Sequence, residues 1–209
     1  MTGQGALSIA QQRLWVLEQL HPRNPAQNVS CGLRLTGNLD TERFGRAWRE
    51  VVEQYQILRT EFHAGEGAPQ PVVVQPVSTQ LNALGLEGVS PEEPGTRLSQ
   101  LAREEARRAF DLSSGPLLRA FLWRVAPLEY VFLSVAHRIV CDEASLGVLL
   151  REMALCYGTS PSGDAWAARQ TPLQYSEFVS RLGRASEERI SYWKQRLAGS
   201  PASLDLPTD

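Results

Sequence analysis

Between Val29 and Thr36 the chain alternates. Val29, Cys31, Leu33 and Leu35 fall on one side, Ser30, Arg34 and Thr36 on the other, until Gly37 and Asn38 end the pattern. A period of two predicts a half-buried strand. After Asp40 the period changes to that of a helix. Phe44, Ala47, Trp48, Val51, Val52 and Tyr55 form one continuous apolar face, and Glu42, Arg46, Arg49 and Glu53 lie opposite. Asp40 supplies an N-cap for it. Upstream, Ser8 and Gln11 have the spacing of a capping box, followed by an apolar stripe of Leu14, Leu17 and Leu20 that stops at Pro22. This predicts a short first helix.

Residues 58–63 and 72–75 read as two short strands joined by the turn at 65–69, a hairpin. The Gly, Pro and Glu-rich stretch 86–95 reads as a surface connection. It leads to a helix in which Leu98, Leu101, Ala102, Ala106 and Ala109 share a face. Two dense apolar runs, 117–125 and 130–136, lie on either side of Pro127. Their length and their aromatic and β-branched content predict buried strands at the centre of a sheet. Helical spacing returns after Asp142 in Leu146, Leu149, Leu150, Met153 and Tyr157, and ends at the Gly158 to Gly163 turn cluster. Two further helical stretches, 175–182 and 187–197, precede an extended tail. Together these elements predict an α/β fold, an α+β sandwich in which a mixed sheet centred on 117–125 and 130–136 is covered by the helices at 40–55 and 145–157.

Composition narrows the function classes. The 209 residues suffice for a real core in one large or two small domains. With 21 basic and 23 acidic residues interspersed, no basic block tracks a phosphate backbone, and nucleic acid is not an expected partner. The first residues lack a secretory layout and no apolar run approaches the roughly 20 residues that span a bilayer, so a cytoplasmic protein without membrane contact is expected. Cys31, Cys141 and Cys156 form no CxxC pair and suit neither a disulfide framework nor a zinc site. Reduced thiols, at least two of them buried, are expected. His21 and His63 stand alone beside turns without metal-ligand spacing.

The stretch 136–145 is the most informative, because a buried strand delivers His137, Arg138 and Asp142 to one loop. Histidine is a natural general base near neutral pH, and an adjacent carboxylate can fix its tautomer. On this stretch alone, a satisfied structural histidine outweighs a catalytic one.

Five ordered motifs add to this reading. The loop resembles the HHxxxDG motif of condensation domains from non-ribosomal peptide synthetases, with His137 at the first histidine, Arg138 at the second, Asp142 at the aspartate and Glu143 at the glycine. Residues 7–15 (LSIAQQRLW) resemble the family's first motif. Residues 54–62 (QYQILRTEF) resemble its second, with Gln54 and Tyr55 replacing the usual Arg-His pair. Phe110, Asp111 and Leu112 followed by 115–119 (GPLLR), and 175–178 (YSEF) followed by Tyr192 and Trp193, are similar to two more.

The resemblance implies a chloramphenicol-acetyltransferase-like fold with two lobes, of which residues 1–209 are the amino-terminal one. The tail 170–209 would then lead toward a missing second lobe. It also implies carrier proteins as partners that bring phosphopantetheine-borne substrates, with no cofactor bound directly. In the family the second histidine assists attack of an acceptor amine on a carrier-bound thioester. An arginine there stays protonated and cannot take up a proton. Glu143 adds charge and removes backbone freedom where an acyl-pantetheine arm would pass. The replaced site resembles that of non-catalytic, oxygenase-recruiting members of the superfamily. The expected function is therefore a non-catalytic condensation-like module with His137, Arg138 and Asp142 as a degenerate catalytic set, docking a carrier protein or tailoring enzyme of an assembly line. Two alternatives remain: half of an amide-forming enzyme completed by a second lobe, and a remnant with a folding or linking role. A second lobe, self-association, or the tail folded back are the expected covers for the face carrying the loop.

Overall fold

The computed structural model describes residues 7–65, 69–75, 81–85, 94–159, 172–182 and 187–201. In chain order the regular elements are α1 (Ile9–Leu20), β1 (Asn28–Thr36), α2 (Thr41–Gln54), β2 (Thr60–His63), β3 (Gln70–Val73), β4 (Leu81–Gly85), α3 (Pro94–Arg107), β5 (Leu118–Ala126), β6 (Glu129–His137), α4 (Glu143–Gly158), α5 (Tyr175–Leu182) and α6 (Glu187–Arg196). The strands at 117–125 and 130–136 are indeed central: the main sheet runs β1-β6-β5-β4, with β4 parallel to β5 and the other pairs antiparallel. β2 and β3 form the expected hairpin as a separate two-stranded sheet.

Strand alternation divides the core into two faces. Leu118, Ala120 and Leu122 of β5 pair with Ala136, Ser134 and Phe132 of β6 on one face. There the Phe132 ring meets the edges of Phe44 at 5.3 Å and Trp48 at 5.7 Å, both from α2. The one-sided helix α2 thus buries the face its sequence marked: Phe44, Ala47, Trp48, Val51 and Val52. α4 packs beside it and contributes Leu146, Leu149 and Met153. On the other face Arg119, Phe121 and Trp123 pair with Val135, Leu133 and Val131, and α3 covers this side.

α3 is fastened by its C-terminal carbonyls. Asn28 Nδ2 donates to the carbonyls of Ala106 and Arg108, at 2.9 and 3.0 Å. The Arg119 guanidinium donates to those of Glu105, Arg108 and Ala109. A helix end leaves these acceptors without intrahelical partners, and two strands supply the donors. Arg119 also lies 3.8 Å over the Phe110 ring, so this ring, just past the helix, is pressed onto the sheet.

Several expectations need correction. α3 runs from Pro94 to Arg107, so Ala109 lies beyond it, and the connection read at 86–95 already enters the helix at its last two residues. The rest of that connection, and the turn residues 160–163, lie outside the described residues. β4 was not anticipated: its five residues are short, and their partner lies almost 40 positions away. The short first helix read from the Leu14, Leu17 and Leu20 stripe is present as α1; Leu14 packs against the core, Leu17 and Leu20 are exposed, and the buried residue of this helix is Gln11. The three cysteines are unpaired, with Cys141 and Cys156 buried.

Phe132 is fully enclosed between α2 and the sheet. Phe132→Ala is expected to cost about 3–5 kcal/mol, whereas Leu33→Ala, at a residue 37% exposed on the edge strand β1, is expected to cost under about 1 kcal/mol. Urea unfolding of both variants checks this, and equal costs would contradict the layer assignment.

Candidate functional site

The motif loop is held mainly through its backbone. β6 ends at His137, whose N–H donates to Leu117 O at 3.0 Å and whose carbonyl accepts from the amides of Val140 and Cys141, closing a tight turn. Arg138 N donates to Gln27 O at 2.8 Å. Gln11 Nε2 reaches from α1 to Ile139 O at 3.2 Å. Asp142 then caps α4: its Oδ1 accepts from Ser145 N at 2.8 Å and from the Ser145 hydroxyl at 2.6 Å. Ile139, Val140 and Cys141 are buried, so the loop is a packed element.

Parity decides where the sequence-predicted residues go. His137 follows Leu133 and Val135 onto the α3 face, and it is 2% exposed. Its ring meets Phe110 edge-on at 6.3 Å. Nδ1 accepts from Ile139 N at 3.2 Å, so the ring proton sits on Nε2. That nitrogen has no hydrogen-bond partner among the described residues. A backbone amide, and not the expected carboxylate, fixes the tautomer. Burial pushes the pKa down to about 4, because charging an imidazole in an apolar surrounding is costly. His137 is neutral at physiological pH and faces the core.

Arg138, one residue on, emerges. Its guanidinium pairs with the Glu143 carboxylate, and both side chains are substantially exposed. The hydrogen bond and the charge raise the arginine pKa further and lower that of Glu143. Such an exposed pair is screened by water and salt, so it orients the side chains more than it fastens the loop. Asp142 is held ionised by its bonds to Ser145, chiefly the hydroxyl and then the amide, with Arg138 adding to the effect. The Cys141 thiol is pushed up to about 12 by burial and by the neighbouring carboxylates. It stays a thiol.

Arg138 and Asp142 line a cleft of about 810 Å³. α1 forms one wall with Arg13, Leu14 and Leu17. The start of α5 forms another with Tyr175 and Phe178, and Tyr55, Ile57, Val148 and Leu149 complete an apolar interior. The structure therefore brings Arg138 and Asp142 together at the cleft, while His137 is not among its lining residues. Sequence reasoning missed Gln11 and Gln174 as cleft residues. Gln11 was recognisable as a cap partner, but its bond to Ile139 spans 128 positions and no local pattern announces it. No group of residues suited to a metal ion occurs among the described residues, and no described helix is long and apolar enough to cross a membrane.

His137 makes stability depend on pH. Its folded pKa of about 4 lies below the unfolded value of about 6.5, so the unfolded chain binds the proton first. Stability from the neutral imidazole is fully present above pH 6.5 and is lost as pH falls toward 4. Between pH 7 and pH 4.5 this group removes about 2 kcal/mol. Urea midpoints and slopes at the two pH values, compared between the native chain and His137→Leu, are expected to differ by that amount. An identical pH dependence in both proteins would refute it.

Comparison with known proteins agrees with this architecture. The family model described as the condensation domain matches residues 1–209. A linear gramicidin synthase of Brevibacillus parabrevis is 36% identical over 208 residues, covering 97% of this chain and 3% of that protein. Among solved structures, the starter condensation domain of rhizomide synthetase superposes with a TM-score of 0.79 at 22% identity, over 95% of this chain and 48% of that one. The first condensation domain of the CDA synthetase gives 0.78 at 21% identity, over 100% of this chain and 53% of that one. The chain thus spans about half of the condensation-domain structures it resembles. A mixed sheet with the chloramphenicol-acetyltransferase-like layering, matched in sequence along its whole length, places this chain in the condensation-domain family of non-ribosomal peptide synthetases.

Proposed function

We propose that this chain is the amino-terminal lobe of a condensation-like domain that forms no amide bond and serves as a docking platform in a peptide assembly line. One observation carries the reading: among the described residues, the loop presents to the cleft no group poised to take up a proton at neutral pH. Arg138 is a permanent cation beside Glu143. Asp142 is committed to the α4 cap, Cys141 is a buried thiol, and the His137 imidazole is turned into the core. The degenerate set His137, Arg138 and Asp142 serves to shape the loop. Loss of a positioned general base commonly costs about 10²- to 10⁴-fold in rate.

The partner this reading assigns is a carrier protein or a tailoring enzyme of the same assembly line. Phosphopantetheine arrives on the carrier and is not held as a resident cofactor. Arg138 and Asp142 at the cleft supply charges of both signs, which fix orientation and specificity more than affinity. The second reading, half of an active enzyme, is favoured by one fact: the chain spans 48% of a condensation-domain structure. A second lobe, supplied by the tail's continuation or by another chain, would then complete the site.

A condensation assay with donor- and acceptor-loaded carrier proteins, run with this chain alone and with a candidate second lobe, is expected to give no amide product. Titration of the same protein with loaded carrier protein is expected to show saturable binding. Product from the native chain with the second lobe would establish the enzyme reading. Neither product nor binding would leave the linking role and overturn docking.

A further inference from the structure

We propose that Gln11 is a positioning residue for the 138–142 loop and that Tyr175, through Ser8, ties the α5 wall of the cleft to the same anchor, so that displacing α5 loosens the loop. This deepens the reading above and rests on it in taking the cleft as the site of binding.

Gln11 is the buried residue of an otherwise accessible helix, 4% exposed. Its side-chain amide is used at both ends: Oε1 accepts from Ser8 N at 3.1 Å, and Nε2 donates to Ile139 O at 3.2 Å. The Ser8 hydroxyl accepts from Gln11 N at 3.1 Å and from the Tyr175 hydroxyl at 2.9 Å. Three segments far apart in sequence are therefore joined by one largely buried polar chain, from α5 through α1 to the loop. A buried amide that loses a partner bears the full desolvation cost, so such a chain has one well-satisfied arrangement and resists piecemeal change.

Among the described residues, few other hydrogen bonds tie α5 to the rest of the fold. Gln174 pins its start to the end of α2, donating to Gln54 O at 3.0 Å and accepting from Gln56 N at 2.9 Å. One turn on, Phe178 lines the cleft yet is 44% exposed. The helix is fastened at its start and loosely covered beyond it. A ligand or partner entering the cleft against Phe178 pushes on the element that holds Tyr175, and the strain passes to Ser8, Gln11 and the Ile139 carbonyl.

The loop contains its own reporter. Cys141 is 3% exposed with its thiol pushed up to about 12, so its alkylation tracks the fraction of time the loop is open. Cys156, buried in α4, serves as an internal control. Gln11→Glu keeps the acceptor for Ser8 N and with it the α1 cap, but loses the donor to Ile139 O. Tyr175→Phe removes only the hydroxyl. Site-resolved labelling by mass spectrometry is expected to show Cys141 reacting about five- to tenfold faster in each variant, with Cys156 unchanged. The double variant is expected to rise by less than the product of the single effects, as members of one network do. An unchanged Cys141 rate in Tyr175→Phe, equal acceleration at both cysteines, or strictly multiplicative effects would overturn the proposal. No carrier protein or condensation substrate enters this experiment, so its outcome is independent of the turnover assay.

Discussion

The pairing of β5 with β6 sets the parity of every residue at the end of β6. Because a strand sends successive side chains to opposite faces, anchoring Phe132 against Phe44 and Trp48 commits Leu133, Val135 and His137 to the α3 side. The ladder persists to the last residue, where His137 N donates to Leu117 O. There is no slack in which residue 137 could turn toward the cleft. Arg138, the first residue past the ladder, takes the outward position, and its amide is held by Gln27.

The same constraint fixes the electrostatics. His137 is neutral because it sits under Phe110, and Phe110 is there because Arg119 and Asn28 satisfy the end of α3. Arg119 itself is partly desolvated, which lowers its pKa, yet carbonyl acceptors and Glu105 keep it charged and in place. A charged guanidinium and a neutral imidazole against the same Phe110 ring reflect different supplies of hydrogen-bond partners.

Much of the fold was legible because it is encoded locally. The one-sided period of α2, the two dense strands and the Ser8 and Asp40 caps each depend on residues within a few positions of one another, and each appears in the structure. β4 was hidden because five residues carry little periodic signal, and a parallel pairing is specified by its distant partner. The polar side of the site was illegible for a related reason: Gln11 to Ile139 and Tyr175 to Ser8 join segments separated by 128 and 167 positions. The orientation of His137, by contrast, was open to sequence reasoning. Counting by twos from the apolar run assigns Leu133, Val135 and His137 to one face, and once the partner of Phe132 is known that face is the one away from α2.

What the loop achieves is best seen at the N-terminus of α4. Asp142 and Glu143 place two carboxylates where unpaired amides and the helix dipole favour negative charge. Asp142 accepts the Ser145 amide, and Arg138 stands against Glu143. Each of these contacts lowers a carboxylate pKa or raises that of the guanidinium, so each makes proton exchange harder near neutral pH. A base works by having its two protonation states close in free energy. This arrangement separates them at Arg138, Asp142 and Glu143, and leaves two carboxylates and one guanidinium fixed at the N-terminus of α4, beside an apolar cleft that Arg138 and Asp142 line.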